Sequence, residues 1–250
     1  MSHAAESTHW YDRTGKPAYT VKAKAGHDRP TTLADARKLA LVPSVTTIIR
    51  CADRPGLTNW MVDQAILAAL TLPRNDGEPE ADWIKRVKQD SKEQARKAAE
   101  RGTEIHAAIQ GSFECEGAKE EMRPFVDAAR ESIRGWHKEA DLALWEAESA
   151  FANPIGFGGK VDLSGGMRVI DAKTKEFGPD DKLQTWDEHA MQLAAYREGL
   201  GMSEARCAIC YVSVNNPGLA RLIEIPEDDL KRGWECFKAL LAFWKAKNVR

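Results

Sequence analysis

Asp162, Asp171 and Lys173 lie close together in the chain, on either side of a glycine-rich turn. The stretch Gly156–Lys175 reads as two short strands, Lys160–Leu163 and Met167–Thr174, joined at Ser164-Gly165-Gly166. Glycine supplies the positive φ that a hairpin turn needs. Side chains alternate across a strand, so Asp171 and Lys173 share one face while Ile170 and Ala172 take the other. The hairpin then brings Asp162 alongside. Two clustered carboxylates repel unless a cation lies between them. A hard divalent cation with oxygen ligands meets that need, and Mg²⁺ is the usual choice where phosphates react. Such an ion lowers the pKa of a bound water and clamps the oxygens of an in-line phosphoryl displacement. Lys173 is placed to orient the water or to stabilise charge building on the phosphate. The same residues also suit an ordinary ion pair on a solvent-facing hairpin, because Asp-x-Lys is a common tripeptide. Spacing alone does not separate the two.

The rest of the chain must position these groups. Its 250 residues, 43% hydrophobic and 30% charged, suffice for one domain with a substantial core. We expect residues 1–80 to form an N-terminal extension packed on a core of residues 81–250, in one globular unit. A net charge of −2 confines any nucleic-acid binding to a local patch. No apolar run approaches the roughly 20 residues of a membrane span, so no membrane partner is expected. The opening Met-Ser-His-Ala-Ala-Glu-Ser has no apolar signal core, and five cysteines without framework spacing fit a reduced, cytoplasmic protein.

His9–Lys24 alternates weakly about Thr14-Gly15-Lys16-Pro17 and predicts a hairpin, followed by a polar loop over Gly26–Thr32. Thr32 is placed to cap a helix through about Lys38, and Pro43-Ser44 to cap a helical turn in the apolar run Leu41–Ile49. Pro55–Leu70 predicts an amphipathic helix carrying Trp60, and Thr71–Pro79 a linker. The longest helical pattern runs from Asp82 to about Gln110. On it Ile84, Val87, Ala95, Ala98, Ile105 and Ile109 form one stripe, with Gly102 among them. Lys85, Lys88, Lys92 and Arg96 form an adjacent basic stripe, with His106 at the border of the two. A solvated face with i,i+4 pairs explains such a stripe as well as a phosphate strand does.

Lys119–Ala140 predicts a helix with Phe125, Ala128, Ile133 and Trp136 inward, and Leu142–Phe151 a strand bearing Trp145, Glu146 and Glu148. After the central hairpin, Asp187–Leu200 predicts a helix with Gln192 and Tyr196 one turn apart on one face. Arg206–Val214 and Leu219–Ile225 predict two strands, and Pro226 opens a last helix with Leu230, Trp234, Phe237, Leu241 and Trp244 inward. The order helix, three strands, helix, strand, strand, helix is an α/β pattern with a mixed central sheet flanked by helices.

These residues, in this order, resemble the PD-(D/E)XK nuclease superfamily, in particular its RecB-like clade. Gly102-Thr-Glu-Ile-His106 is similar to the clade's helical histidine motif, and Glu148 to the acidic residue many relatives carry before the hairpin. Gly159-Lys-Val-Asp162 is similar to the first aspartate motif, Asp171-Ala-Lys173 to the D/E-x-K signature, and Gln192-x-x-x-Tyr196 to the Q-x-x-x-Y motif. The resemblance covers about residues 95–225. Upstream, Pro43-Ser-Val-Thr-Thr-Ile-Ile followed by Trp60 is similar to the N-terminal part of phage-encoded exonucleases and of mitochondrial genome maintenance exonucleases, a shorter and less specific match.

The resemblance implies a restriction-endonuclease-like αβββαβ core behind an N-terminal extension. It implies a metal-dependent DNA exonuclease that hydrolyses phosphodiester bonds in phage-type recombination, replication or DNA processing, in the host cytoplasm if phage-encoded. A structure- or sequence-specific endonuclease on the same core, and a non-catalytic DNA-binding module, stay open. Mg²⁺ or Mn²⁺ would be held by His106, Asp162, Asp171 and the Ala172 carbonyl. Lys173 would be the catalytic lysine, acting with Asp171 and Asp162, and Glu148 would assist metal binding or position water. Gln192 and Tyr196 would support Lys173 and contact the DNA backbone. Partners would be DNA with free single-stranded ends, guided by Lys85, Lys88, Lys92 and Arg96, and a recombination or annealing protein. Some relatives carry an iron–sulfur cluster on one early and three late cysteines. Here Cys207 and Cys210 fall on opposite faces of a strand, and Cys236 lies far beyond, so no cluster is expected.

Overall fold

A computed structural model describes residues 9–53, 55–114, 117–136 and 145–249, without the side chains of Pro55, Gln94, Ala95 and Ala98. The stripe positions Ala95 and Ala98, the helix end expected over 137–140 and the strand start expected over 142–144 lie outside the described residues. In chain order the elements are β1 (Trp10–Tyr11), β2 (Thr20–Lys22), β3 (Asp28–Pro30), α1 (Leu33–Lys38), β4 (Val42–Pro43), α2 (Val45–Ile49), α3 (Pro55–Thr71) and α4 (Glu80–Phe113). They continue with α5 (Arg123–Trp136), β5 (Glu146–Asn153), β6 (Phe157–Gly165), β7 (Arg168–Lys175), α6 (Asp187–Gly199), β8 (Arg206–Ser213), β9 (Ala220–Ile225) and α7 (Glu227–Asn248).

The protein is α/β: β5-β6-β7-β8-β9 form a five-stranded mixed sheet flanked by helices. Only the β7–β8 pair is parallel within it. Parallel neighbours need a crossover, which α6 supplies. One face is covered by α6 and α7, where Phe157, Leu193, Ile209, Phe237 and Leu241 are buried together. The other face carries α5, whose Phe125, Val126, Ala129 and Ile133 are buried against β8 and β9. The central strand is therefore covered on both sides, and its neighbouring residues Val169 and Ile170 are both fully buried.

Local chemistry explains the ends of several elements. Thr32 Oγ1 accepts from Asp35 N at 3.3 Å and Asp35 Oδ2 accepts from Thr32 N at 2.9 Å, a reciprocal cap on α1. Ser44 Oγ accepts from Thr47 N at 3.1 Å and caps α2. The central hairpin turns at Gly166 and Met167, with φ of 52° and 55°. Two consecutive positive φ values mark a two-residue type I′ turn. This places the turn later than the expected Ser164–Gly166.

The turn expected about Thr14-Gly15-Lys16-Pro17 closes, with Tyr11 bridging Pro17 and Ala18 N donating to Trp10 O at 2.8 Å. One expectation is corrected: the strands proper pair elsewhere, β1 with β4 and β2 with β3, so strand β3 falls inside the expected polar loop. The described residues of Met1–Ala52 and His106–Arg250 form one compact unit, and Asp53–Ile105 form a second. The division falls within α4. In the first unit, Ser44 bridges Gly158 of β6 and Trp10 meets Trp244 at 6.0 Å between ring centroids. In the second, α3 leaves Leu57, Met61, Val62, Ile66 and Leu70 exposed. No helix among the described residues is long and apolar enough to cross a membrane.

Candidate active site

The site forms where β6 and β7 part. Their pairing runs from Gly165–Arg168 to Leu163–Ile170. Asp162 and Asp171 are the next residue on each strand. The strands no longer satisfy one another there, and Ala172 N donates instead to Asp162 Oδ2 at 2.8 Å. A backbone donor thus anchors one carboxylate beside the other.

Asp171 is 2% exposed. Its Oδ1 accepts from Gln192 Nε2 at 2.7 Å. Its Oδ2 is buried without a hydrogen bond of ordinary geometry, and the Lys173 ammonium lies 2.7 Å away as an ion contact. Lys173 Nζ also donates to Gln192 Oε1 at 3.4 Å, and Gln192 Nε2 donates to Tyr196 Oη at 2.9 Å. The helical spacing of Gln192 and Tyr196 therefore does put both on the face that meets the D-x-K strand. Both side chains are buried, at 7% and 5% exposure, and their polar groups are directed inward. They support Lys173 and Asp171, and the surface they were expected to offer a DNA strand is closed in this structure. Burial holds the Tyr196 phenol well above its ordinary pKa, so it stays protonated.

Burial, and next the charge of Asp171, push the Asp162 carboxyl up to about 7, against the opposing Lys173 ammonium and Ala172 N–H. His106 Nδ1 lies 3.8 Å from Asp162 Oδ2. Burial pushes this imidazole's pKa down, the Asp171 charge pulls it up, and Lys173 pushes it down again. A neutral imidazole is the form that binds metals.

Glu148 completes the group through an unusual backbone. Ala147 pairs with Leu163 and Ser149 with Val161, and between them Glu148 faces Asp162 at a left-handed φ of 57°. For a residue with a side chain this costs about 1–3 kcal/mol, and such strain collects at functional sites. The Glu148 carboxylate contacts Lys160 Nζ as an ion pair. Glu148, His106, Asp162 and Ala172 line, with Ile109, Gln110 and Leu163, a cavity of about 20 Å³. That is room for about one water. Lys160 is a member of the site to which the motif assigned no role. Its position two residues before Asp162, on the same strand face, was the available signal.

The structure thus brings Asp162, Asp171, Lys173, Gln192 and Tyr196 into one network, with His106 and Glu148 beside it. Among the described residues no three His, Cys, Asp or Glu side chains gather tightly enough to hold a metal as they stand. Lys85, Lys88, Lys92 and Arg96 are exposed on the part of α4 that belongs to the second unit. Arg96 is engaged with Glu100 at 2.5 Å and Glu93 at 3.7 Å, the pairing of a solvated helix face. Trp83 Nε1 donates to Leu72 O at 2.7 Å, a structural use of that indole. Val87, Ile105 and Ile109 are buried as the stripe predicts, whereas Ile84 is 37% exposed. Cys207 and Cys210 are buried in β8, and burial pushes both thiols up to about 12.

The raised Asp162 pKa gives a stability prediction. A carboxyl whose folded pKa exceeds its unfolded value favours the fold when protonated, and this contribution is lost as pH rises through the folded pKa. In chelator, the stability of the wild type relative to Asp162→Asn falls between the ordinary carboxylate range and about pH 7. Urea unfolding at stepped pH measures this. Parallel profiles for the two proteins would contradict the assignment.

No protein-family model and no curated protein matches the chain. Among solved structures it is similar to one described as "Crystal structure of SSO0001", at 20% identity over 44% of this chain, with a TM-score of 0.25. The match spans 55% of that structure's chain. So slight a likeness carries no argument about the fold or the site.

Proposed function

We propose that the protein is a metal-dependent deoxyribonuclease of the PD-(D/E)XK type, acting as an exonuclease. The observation that carries this reading is the paired Asp162 and Asp171 at a strand fork, with Lys173 held against Asp171 by Gln192. An ion pair on a solvent-facing hairpin has no use for a buried aspartate, a glutamine clamp and a strained glutamate across the strand.

By the chemistry of its donors the set suits a hard divalent cation, which would have to draw the three side chains closer than they stand. It offers two adjacent carboxylates, one with an oxygen lacking a hydrogen bond, and a nearby imidazole kept neutral by burial. His106, Asp162 and Asp171, with the Ala172 carbonyl, would hold Mg²⁺ or Mn²⁺. Bound there, the ion supplies a polarised phosphate and a more acidic water. Lys173 brings its ammonium to the phosphate oxygens, where negative charge builds during displacement. Gln192 keeps that ammonium from swinging to solvent, and Tyr196 holds the Gln192 amide. Glu148 faces the small cavity, where its carboxylate orients a water. The exposed lysines of α4 supply sequence-blind phosphate contacts for DNA with single-stranded ends, and a recombination or annealing protein is the expected partner.

Digestion of end-labelled linear DNA and covalently closed circles with Mg²⁺ or Mn²⁺ tests the exonuclease reading. Linear strands are shortened from an end while circles persist. Circles cut as fast as linear DNA would replace it with an endonuclease on the same core.

A further inference from the structure

Away from the carboxylates, the first unit holds a cavity of about 510 Å³ between the turn after β1, α1, β4, the β5–β6 loop and the end of α7. Its size falls in the range of about 300–1,000 Å³ usual for small-ligand sites. The wall is largely apolar, with Trp10, Leu33, Leu41, Val42, Ile155 and Trp244. Trp10 and Trp244 meet edge to face, and the Trp10 indole N–H is buried without a partner among the described residues.

The charge around the cavity is one-sided. Arg13, Arg37 and Lys245 line it, and among the described residues no carboxylate does. Of the nearest acidic residues in sequence, Asp35 is paired, its Oδ2 taking Arg29 Nη1 at 2.6 Å. Asp12 keeps its charge but is held within its own turn, where Oδ1 accepts from Thr14 N at 2.8 Å and Lys16 N at 3.0 Å, and it does not line the cavity. Arg37 is steadied by Asn248 O, which accepts from its Nε at 2.9 Å and Nη2 at 2.6 Å, and Lys245 Nζ donates to Ile155 O. A carbonyl accepts a hydrogen bond without neutralising a charge, so these contacts position cations and leave the local potential positive. The backbone is shaped at the same place: Ala40, a lining residue, adopts a left-handed φ of 54°. Gly156 at φ 101° leaves the space beside Lys245, where an added Cβ would lie 3.2 Å from Nζ.

We propose that this cavity binds a small organic acid, a carboxylate carried on an apolar body about the size of one aromatic side chain. The tryptophans and aliphatic wall take the body, and Arg13 and Lys245 take the carboxylate. This site is independent of the nuclease reading and uses none of its residues.

Calorimetric titration of the full chain with N-acetylphenylalanine, and with its primary amide, tests the proposal. The pair has one body and differs in charge. The acid binds at least about tenfold more tightly than the amide, as a charge-assisted contact requires. Arg13→Gln, in an exposed turn, narrows that preference, and Ile155→Trp, which fills the mouth from a loop, weakens both compounds. Equal binding of acid and amide would overturn the proposal, as would no binding at millimolar concentration or binding unchanged in both variants.

Discussion

Replacing Asp171 with asparagine, or Lys173 with alanine, lowers DNA cleavage by about a thousandfold or more while the protein still folds. The two substitutions remove different parts of one device. Asp171→Asn keeps the shape of the buried group and its contact with Gln192, but takes away the negative charge. Lys173→Ala removes the ammonium 2.7 Å from Asp171 Oδ2 and strands a buried carboxylate. Stranding a buried charge costs on the order of 3 kcal/mol of stability. The double variant is therefore more stable than Lys173→Ala alone, because it has no buried charge left to compensate, yet it is equally inactive. Urea unfolding of the three variants beside end-label release separates the structural coupling from the catalytic one. Cleavage near the wild-type rate in either single variant would remove Asp171 and Lys173 from the chemistry.

Glu148→Gly behaves in the opposite sense: activity falls while stability holds or rises. Glycine adopts the φ of 57° at position 148 without the penalty that a Cβ brings, a relief of about 1 kcal/mol or more. The lost contact with the partly exposed Lys160 is worth less than about 1 kcal/mol. A strained residue that the fold would do better without is one kept for its side chain. The prediction is a urea midpoint no lower than wild type together with a loss of cleavage. A midpoint well below wild type, with activity kept, would make Glu148 a structural residue.

Much of this site was legible in the sequence because period-two alternation and a glycine turn are local signals. They placed Asp171 and Lys173 on one face, and the one-turn spacing placed Gln192 and Tyr196 together. Other features depend on the backbone or on distant partners. The turn shifted to Gly166 and Met167 because a type I′ turn needs two positive φ values, and methionine gives no hint that it will adopt one. The left-handed Glu148 is invisible in composition and spacing. At the N-terminus the local turn was legible and its Tyr11–Pro17 bridge forms, but the β1–β4 pairing was missed because the partner lies across α1 and no local alternation encodes that. The anchoring of Asp162 by Ala172 N follows from the parting of β6 and β7, which comes from packing around the strands and not from either strand alone.

The measurement that bears most directly on the central claim is release of labelled nucleotides from linear DNA by wild type and Asp171→Asn, purified in parallel, each with Mg²⁺ and with chelator. The account predicts release only by the wild type and only with the ion. Release by both proteins at similar rates, or wild-type release that persists undiminished in chelator, would contradict it.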